Sequence, residues 1–298
     1  MPRCSVIIPT YNRRRLLEYT LTSLTRQSLP RDEFEVLVVD DGSADGTGEM
    51  VQGFADRFDL RYFFQADTGS RAAAARNLGI TEARSDICVF LDDGVIAHSG
   101  CLRAHVDTHE AHAGPVAVIG YAYCLLLHER ESGRMNRTLD YADADGSIAL
   151  VRERGLWPDI REDFYAKYGD DFGDLPAPWV VYFTCNTSAN TDQVRAVGMF
   201  DESFEGWGGE DLDLGYRLHR AGARIVLNRD AASLHVPHPL ASRAREAANY
   251  RYMVEKYGTP IMSLMPGFST LEVHPLNIND IIRERGLPSC AEYELQRR

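Results

Sequence analysis

Four short segments gather carboxylates, glycines and aromatic rings in combinations that can do chemistry. In FLDDG, Phe90–Gly94, an apolar run ends in two adjacent carboxylates, Asp92 and Asp93. Such a pair cradles a hard cation such as Mg2+ or Mn2+. A cation there offsets charge building on a leaving group, an effect worth several kcal/mol in the transition state. The bland alternative is an ordinary turn. The second segment is GWGGEDLDLGYRLHRAG, Gly206–Gly222. Its glycines let the backbone approach a ligand, and Trp207 offers a flat apolar face for a sugar ring. Glu210 and Asp211 open a helix, where the dipole favours carboxylates. Simple N-capping accounts for one of them and leaves the Gly-Trp-Gly-Gly run without a reason.

The other two segments lie earlier. VVDDGSADGT, Val38–Thr47, ends a strand-like run in Asp40 and Asp41 before a Gly-Ser turn. A carboxylate there either accepts a hydrogen bond from a base N–H or closes an Asx-turn on its own backbone. IIPTYNR, Ile7–Arg13, exposes backbone groups and the Tyr11 ring, which can stack on a base. Its alternative is a strand-to-helix turn with Asn12 as N-cap.

Elements with a regular rhythm must hold these segments. Strand-like runs occur at Cys4–Pro9, Phe34–Asp40, Leu60–Gln65, Ile87–Leu91 and Pro115–Cys124. Amphipathic stretches between them run roughly over Arg14–Gln27, Ala44–Arg57, Ser70–Arg84 and Ser99–Ala111. This β-α-β alternation predicts a parallel sheet covered on both faces. Ligands in such sheets bind beyond the carboxyl ends of the strands, so the loops after Pro9, Val39 and Leu91 share one edge. Residues 128–178 break the rhythm and read as an irregular insert whose aromatics, Tyr141, Trp157, Phe164, Tyr165 and Tyr168, are expected to stack on an acceptor ring. Between His128 and Asp174 the net charge is −5, which suits a cationic or amino-bearing acceptor on that side of the cleft. A helix follows from Thr191 to Val197, another runs to about Ala221, ARIVLN reads as a strand and 239–257 as a helix. The last forty residues read as a loose tail with turn signals at Pro260, Pro266 and Pro275.

Composition removes other classes. The chain has 298 residues, 44% of them hydrophobic, enough for a large core. A net charge of −12 without basic blocks argues against nucleic acid as a partner and against a polybasic membrane anchor. No run of about 18 apolar residues predicts a transmembrane helix. The cysteines Cys4, Cys88, Cys101, Cys124, Cys185 and Cys290 form no C-x-x-C pair, which points to a reducing, cytoplasmic setting and no zinc knuckle.

IIPTYNR, VVDDGSADGT, the AAAARNLGI run, FLDDG and GWGGED resemble, in order and spacing, the pattern of family 2 nucleotide-sugar glycosyltransferases with the GT-A fold. The resemblance spans about residues 4–230. GWGGEDLDLGYRL is also similar to a segment of β-galactosyltransferases and chondroitin-polymerase-type enzymes. It implies a Rossmann-like, mostly parallel central sheet flanked by helices, with the irregular insert on the acceptor side and a helical C-terminal extension. Residues 1–125 would form the nucleotide-sugar half, 126–238 the acceptor and catalytic half, and 239–298 the extension and tail. By that resemblance Pro9, Thr10 and Tyr11 line base and ribose, Asp41 takes the base N–H, and Arg71 or Arg76 reaches base or diphosphate. Many relatives carry Asp-x-Asp where this chain has Gly94 at the last position. The resemblance then implies Asp93 for the metal and Asp92 for the ribose. A further metal ligand is implied at His235 in SLHVPHP, with His238 a weaker candidate and His98 directed to solvent.

The expected activity is inverting transfer of a hexose from a nucleoside-diphosphate donor, UDP by family precedent, with Mn2+ or Mg2+. Asp211 would act as general base and Glu210, beside Trp207, would orient the acceptor, though the two carboxylates can exchange roles. The acceptor can be a small molecule, a glycan or a carrier-linked precursor. A nucleotidyltransferase would show a basic, glycine-rich loop after the first strand, which Pro9-Thr10-Tyr11 is not. A non-catalytic sugar-nucleotide sensor would not need both Glu210 and Asp211.

Overall fold

The apolar runs Cys4–Pro9, Phe34–Asp40, Ile87–Leu91 and Pro115–Cys124 fold as strands buried on both faces, whereas Leu60–Gln65 gives a half-exposed edge strand. The computed structural model describes residues 1–66, 69, 71–125, 129–239, 242–289 and 292–293. Ser70, His128 and Cys290, named above, lie outside the described residues. In chain order the first half contains β1 (Cys4–Thr10), α1 (Arg14–Leu24), β2 (Phe34–Asp40), α2 (Thr47–Gln52), β3 (Asp59–Phe64), α3 (Ala72–Glu82), β4 (Ile87–Leu91), β5 (Val95–Ala97), α4 (Cys101–Ala111) and β6 (Val116–Tyr123). The second half adds α5 (Glu129–Thr138), α6 (Ala144–Arg154), α7 (Glu162–Tyr168), β7 (Asn186–Asn190), α8 (Thr191–Ala196), α9 (Glu210–Arg220), β8 (Arg224–His235), α10 (Glu246–Tyr257), α11 (Gly267–Thr270) and α12 (Ile278–Glu284).

One eight-stranded sheet runs in the order β3-β2-β1-β4-β7-β6-β8-β5. Strands β3, β2, β1 and β4 are mutually parallel, as the alternation predicts. The sheet is mostly parallel, as expected, and becomes mixed beyond β4, where β6 still pairs parallel with β8. There β7 pairs antiparallel with both β4 and β6, and β5 pairs antiparallel with β8. The helix α3 lies close on the sheet because its residues are small: a Cβ at Gly79 would stand 2.5 Å from Ile7 Cγ2.

The strand β7 reads NTSAN and carries no apolar signal, yet its first four residues are buried. Two of its side chains, Asn186 and Ser188, are satisfied from α4 and β8. The imidazole Nε2–H of His105 donates to Asn186 Oδ1 at 2.9 Å, and Ser188 Oγ lies 2.9 Å from both His105 Nδ1 and His109 Nε2. Asn186 Nδ2 donates to the Ala231 carbonyl and to Ser233 Oγ. Burial, with no carboxylate beside them, pushes the pKa of His105 down to about 4 and that of His109 to about 3. These histidines are neutral when folded but take up protons near pH 6.5 when unfolded. Stability is therefore expected to fall as pH drops from 6.5 towards 4, by up to roughly 3 kcal/mol for His105 alone. Urea unfolding at pH 7, 5.5 and 4.5 reads this. A His105→Gln protein should lose less on acidification than wild type, and equal losses would remove the assignment.

Two expectations about the second half need correction. Residues 128–178 are not irregular: they contain α5, α6 and α7, and Phe164, Tyr165 and Trp157 are buried in the main core instead of facing a ligand. The anchor is a fully buried ion pair. Arg161 contacts Asp159 at 2.6 Å and donates to the carbonyls of Val181 and Gly120, while Asp159 accepts from the Ala122 amide on β6. Nor is the tail loose over its described residues 259–289. Met262, Met265, Ile278 and Ile282 are buried, and Asn279 Oδ1 accepts from the Ala177 amide. Charge patterns and prolines hid both, because the apolar residues that pack are scattered singly among polar ones.

The five cysteines among the described residues are free and buried. No helix among the described residues is long and apolar enough to cross a membrane.

Candidate active site

The parallel strands deliver β1, β2 and β4 to one edge of the sheet, where Thr10, Asp40 and Leu91 end them. Asp40 is the carboxylate that closes the Asx-turn: its Oδ1 accepts from the amides of Gly42 and Ser43 and its Oδ2 from the Tyr62 hydroxyl. Asp41 instead meets Arg71, from its amide at 2.9 Å and its guanidinium at 3.0 Å. Asn12 does not cap α1. It ties the two loops together, accepting from Ala44 N and donating its own amide to Ser43 Oγ. The Tyr11 ring beside them is 45% exposed, open enough to take a stacked base.

The Asp pair after β4 divides. Asp93 is buried, with Thr10 Oγ1 donating to one oxygen at 2.9 Å and Arg13 Nη1 to the other at 3.0 Å. Burial raises its pKa in spite of these partners. Asp92 is more open and accepts one hydrogen bond, from Arg76 at 2.8 Å. Burial alone would raise its pKa, but the charge and hydrogen bond of Arg76, with the charge of Arg13, together outweigh that and hold it low. Gly94 has a physical reason to stand where relatives carry Asp. Its φ of 88° lies in the left-handed region, and its amide and carbonyl are taken by Thr20 Oγ1 and the Val236 amide.

Strand β8 was expected only as ARIVLN. It continues to His235, which pairs across the sheet with Val95, so the imidazole arrives beside the Asp92 turn. Burial and the neighbouring His238 push His235 down to about 4 against the pull of Asp92, leaving it neutral, the ligand form. The His235 and His238 rings are 5.1 Å apart, and His238 Nδ1 contacts the Pro239 carbonyl. His98 is elsewhere, accepting from the Gly100 amide.

The fourth segment enters from the other side. Gly206, Gly208 and Gly209 have φ of 70°, 93° and 106°, and a Cβ at Gly209 would meet the Phe204 ring at 2.9 Å. The glycine run therefore bends the chain so that α9 begins at Glu210, facing the Asp92 turn. Asp213, one turn into α9, holds the helix in place by accepting from Arg217, Lys256 and Tyr257, the last two on α10. Trp207 is half-buried and carries Arg243 over its ring at 5.0 Å.

Arg76 joins the two halves. It is buried, pairs with Asp92, and its Nη1 stands 3.9 Å from Glu210 and 3.8 Å from Asp211. Three carboxylates thus surround one guanidinium. Burial raises the pKa of both Glu210 and Asp211, with Asp92 adding to the effect and Arg76 opposing it. Asp211 also accepts from the Thr184 amide and hydroxyl, whereas Glu210 Oε2 is buried with no hydrogen-bond partner. Thr184 and Arg13 are site residues that sequence reasoning missed. Thr184 had no local signal, and Arg13 was visible only as part of IIPTYNR.

Among the described residues no three side chains converge as ligands for a metal ion. The open oxygen of Asp92 and the neutral imidazole of His235 nevertheless fit a divalent cation that takes its remaining ligands from a diphosphate. The negative balance around Arg76 favours the same cation.

Comparison with known proteins finds relatives in sequence and in fold. Residues 5–151 match the model of glycosyl transferase family 2, and residues 171–239 match a galactosyltransferase domain described as N-terminal. The chain is 35% identical over 238 residues to validoxylamine A glucosyltransferase of Streptomyces hygroscopicus subsp. jinggangensis, covering 80% of this chain and 56% of that protein. It thus spans little more than half of that relative's length. It is 33% identical over 279 residues to an uncharacterized glycosyltransferase of Bacillus subtilis, covering 86% of this chain and 70% of that protein. A mannosyltransferase from Pyrobaculum calidifontis, solved with GDP-Man and Mn2+, superposes with a TM-score of 0.58 at 17% identity, over 95% of this chain and 70% of that one. At that identity the likeness is one of fold, the GT-A arrangement of a mixed sheet flanked by helices.

Proposed function

The chain belongs to glycosyl transferase family 2, and from that premise we propose that it transfers a hexose-type sugar from a nucleoside-diphosphate donor, UDP first among them, to an acceptor hydroxyl with inversion. The observation that carries this reading is the cluster of Asp92, Glu210 and Asp211 around Arg76. It sets a cation-binding carboxylate directly across from a pair of carboxylates with raised pKa.

In this reading the nucleotide lies over β1 and β2, with its base beside Tyr11 and Asp41 and its phosphates towards Asp92. A divalent cation held by Asp92 and His235 would supply Lewis-acid stabilisation of the departing diphosphate. The sequence resemblance gave the metal to Asp93 and the ribose to Asp92. Here the cation goes to Asp92 instead, because both Asp93 oxygens are engaged by Thr10 and Arg13. Asp211 receives the proton of the acceptor hydroxyl while that oxygen attacks the anomeric carbon. The bond from that carbon to the diphosphate oxygen breaks with its electron pair going to the diphosphate. A base whose pKa is raised towards neutrality is the more effective one. Thr184 holds Asp211 in place, and Glu210 orients the acceptor.

Product stereochemistry tests the displacement. From an α-linked UDP-hexose the product should be wholly β-linked in the anomeric proton coupling. An α-linked product would exclude a single displacement whichever carboxylate serves as base.

A further inference from the structure

The loop that delivers Trp207 and Glu210 is made of residues that resist ordering. Gly206, Gly208 and Gly209 sit at φ of 70°, 93° and 106°, and glycine loses more freedom on folding than any other residue. Gly209, the residue before α9, has no side chain with which to cap that helix. The ties come instead from α10, which begins after residue 239, the last one matched by the galactosyltransferase domain.

Asn249 makes the central tie. It is 4% exposed, and its Nδ2 donates to the carbonyl of Glu205 at 3.1 Å and to that of Gly208 at 2.7 Å. A side-chain amide has two N–H donors, so this one residue closes the bend from Glu205 to Gly208. Its neighbours pack on the same loop. Arg243 lies over the Trp207 ring at 5.0 Å and is itself paired with Glu246 at 2.7 Å. A Cβ at Gly209 would stand 3.2 Å from Asn249 Cβ, and one at Gly208 would stand 3.6 Å from Glu246 Cγ. Farther along α10, Tyr252 and Lys256 reach Asp201, and Lys256 and Tyr257 reach Asp213. The helix is therefore docked by contacts that do not involve Asn249.

We propose that Asn249 is a positioning residue for the transfer: by holding the Glu205 and Gly208 carbonyls it sets the directions in which Trp207 and Glu210 meet the acceptor. The inference rests on the transferase reading above, in which Glu210 orients the acceptor. Loss of Asn249 should then fall on the acceptor and spare the nucleotide, which that reading places over β1 and β2.

The test joins a structural readout to a functional one. The chain has three tryptophans, and Trp157 and Trp179 are buried in the main core, so Trp207 reports on the loop. With 5-fluorotryptophan incorporated, each ring gives a 19F NMR line, and Trp207→Phe assigns the one from the loop. Asn249→Asp keeps the size of the side chain and removes both donors, and Asn249→Ala removes them without adding a charge. Each should move or broaden the Trp207 line while the other two lines stay. UDP affinity with Mn2+ should change by less than about twofold, and UDP release driven by a mixture of sugars should fall about tenfold or more, the scale of two lost hydrogen bonds. Tyr252→Phe, which removes only the hydroxyl on Asp201, is the control and should do none of this. A Trp207 line unmoved in both Asn249 variants, sugar-driven release left intact, an equal loss of UDP affinity, or the same defects in Tyr252→Phe would overturn the inference. Failure of the transferase reading shows differently: wild-type protein then releases no UDP from any donor, and the positioning role falls with it.

Discussion

Asp211→Asn is expected to lower kcat by roughly 10²–10⁴ while leaving donor affinity nearly unchanged, the range for losing a positioned general base. The substitution is nearly isosteric. The asparagine carbonyl can still accept from the Thr184 amide and hydroxyl, so the start of α9 should hold its place. What disappears is a proton acceptor whose pKa burial has raised. Glu210→Gln is expected to act differently. Glu210 shares the raised pKa but has no anchor like Thr184, and among the described residues its Oε2 is buried without a hydrogen-bond partner. Its loss should raise acceptor KM more than it lowers kcat. Steady-state kinetics on the two variants separates the roles. A full kcat loss in Glu210→Gln with near-normal kcat in Asp211→Asn would exchange them. Thr184→Ala should reproduce part of the Asp211 defect, since it frees that carboxylate to swing towards Arg76, 3.8 Å away. Because Asp211 must be ionised to accept a proton, the acid limb of kcat should lie above the usual carboxylate range and leave with Asp211→Asn.

Much of the site was legible because its parts end regular elements. Phe34–Asp40 and Ile87–Leu91 are strands with the bounds that their apolar runs suggest, and the loops after β1, β2 and β4 do share an edge. Glu210 and Asp211 do open a helix, and the glycines before them take conformations that other residues rarely adopt. What escaped was whatever depends on a distant partner. No local pattern says that NTSAN is a central strand, since its burial is made acceptable by histidines about 80 residues away. The choice between Asp92 and Asp93 turns on Arg13, Thr10 and Arg76, three side chains from two other elements and a loop. Aromatics in the insert looked like ligand-facing rings because a polar helix with a few buried residues has the same composition as a surface loop. Asp40 and Asp41 are adjacent and chemically identical, and only the Tyr62 hydroxyl and the Arg71 guanidinium tell them apart.

Metal-dependent release of nucleoside diphosphate decides whether the chain is a cation-assisted transferase. Purified protein is incubated with a panel of UDP-, dTDP- and GDP-hexoses, with a mixture of sugars as acceptors, and free nucleotide is followed by chromatography. At least one donor should be turned over with Mn2+ or Mg2+, excess chelator should abolish the release, and added cation should restore it. The cation offsets charge on a leaving group that the protein approaches with a net negative cluster, so several kcal/mol of transition-state stabilisation should vanish with it. Asp92→Asn and His235→Ala should each raise the cation concentration for half-activity by about tenfold or more, the scale for losing even a residue that only orients a metal ligand. Asp93→Asn, whose oxygens serve Thr10 and Arg13, should shift it less. Undiminished release in excess chelator, or no turnover of any donor by a folded protein, would contradict the account. A larger shift for Asp93→Asn than for Asp92→Asn would return the cation to Asp93.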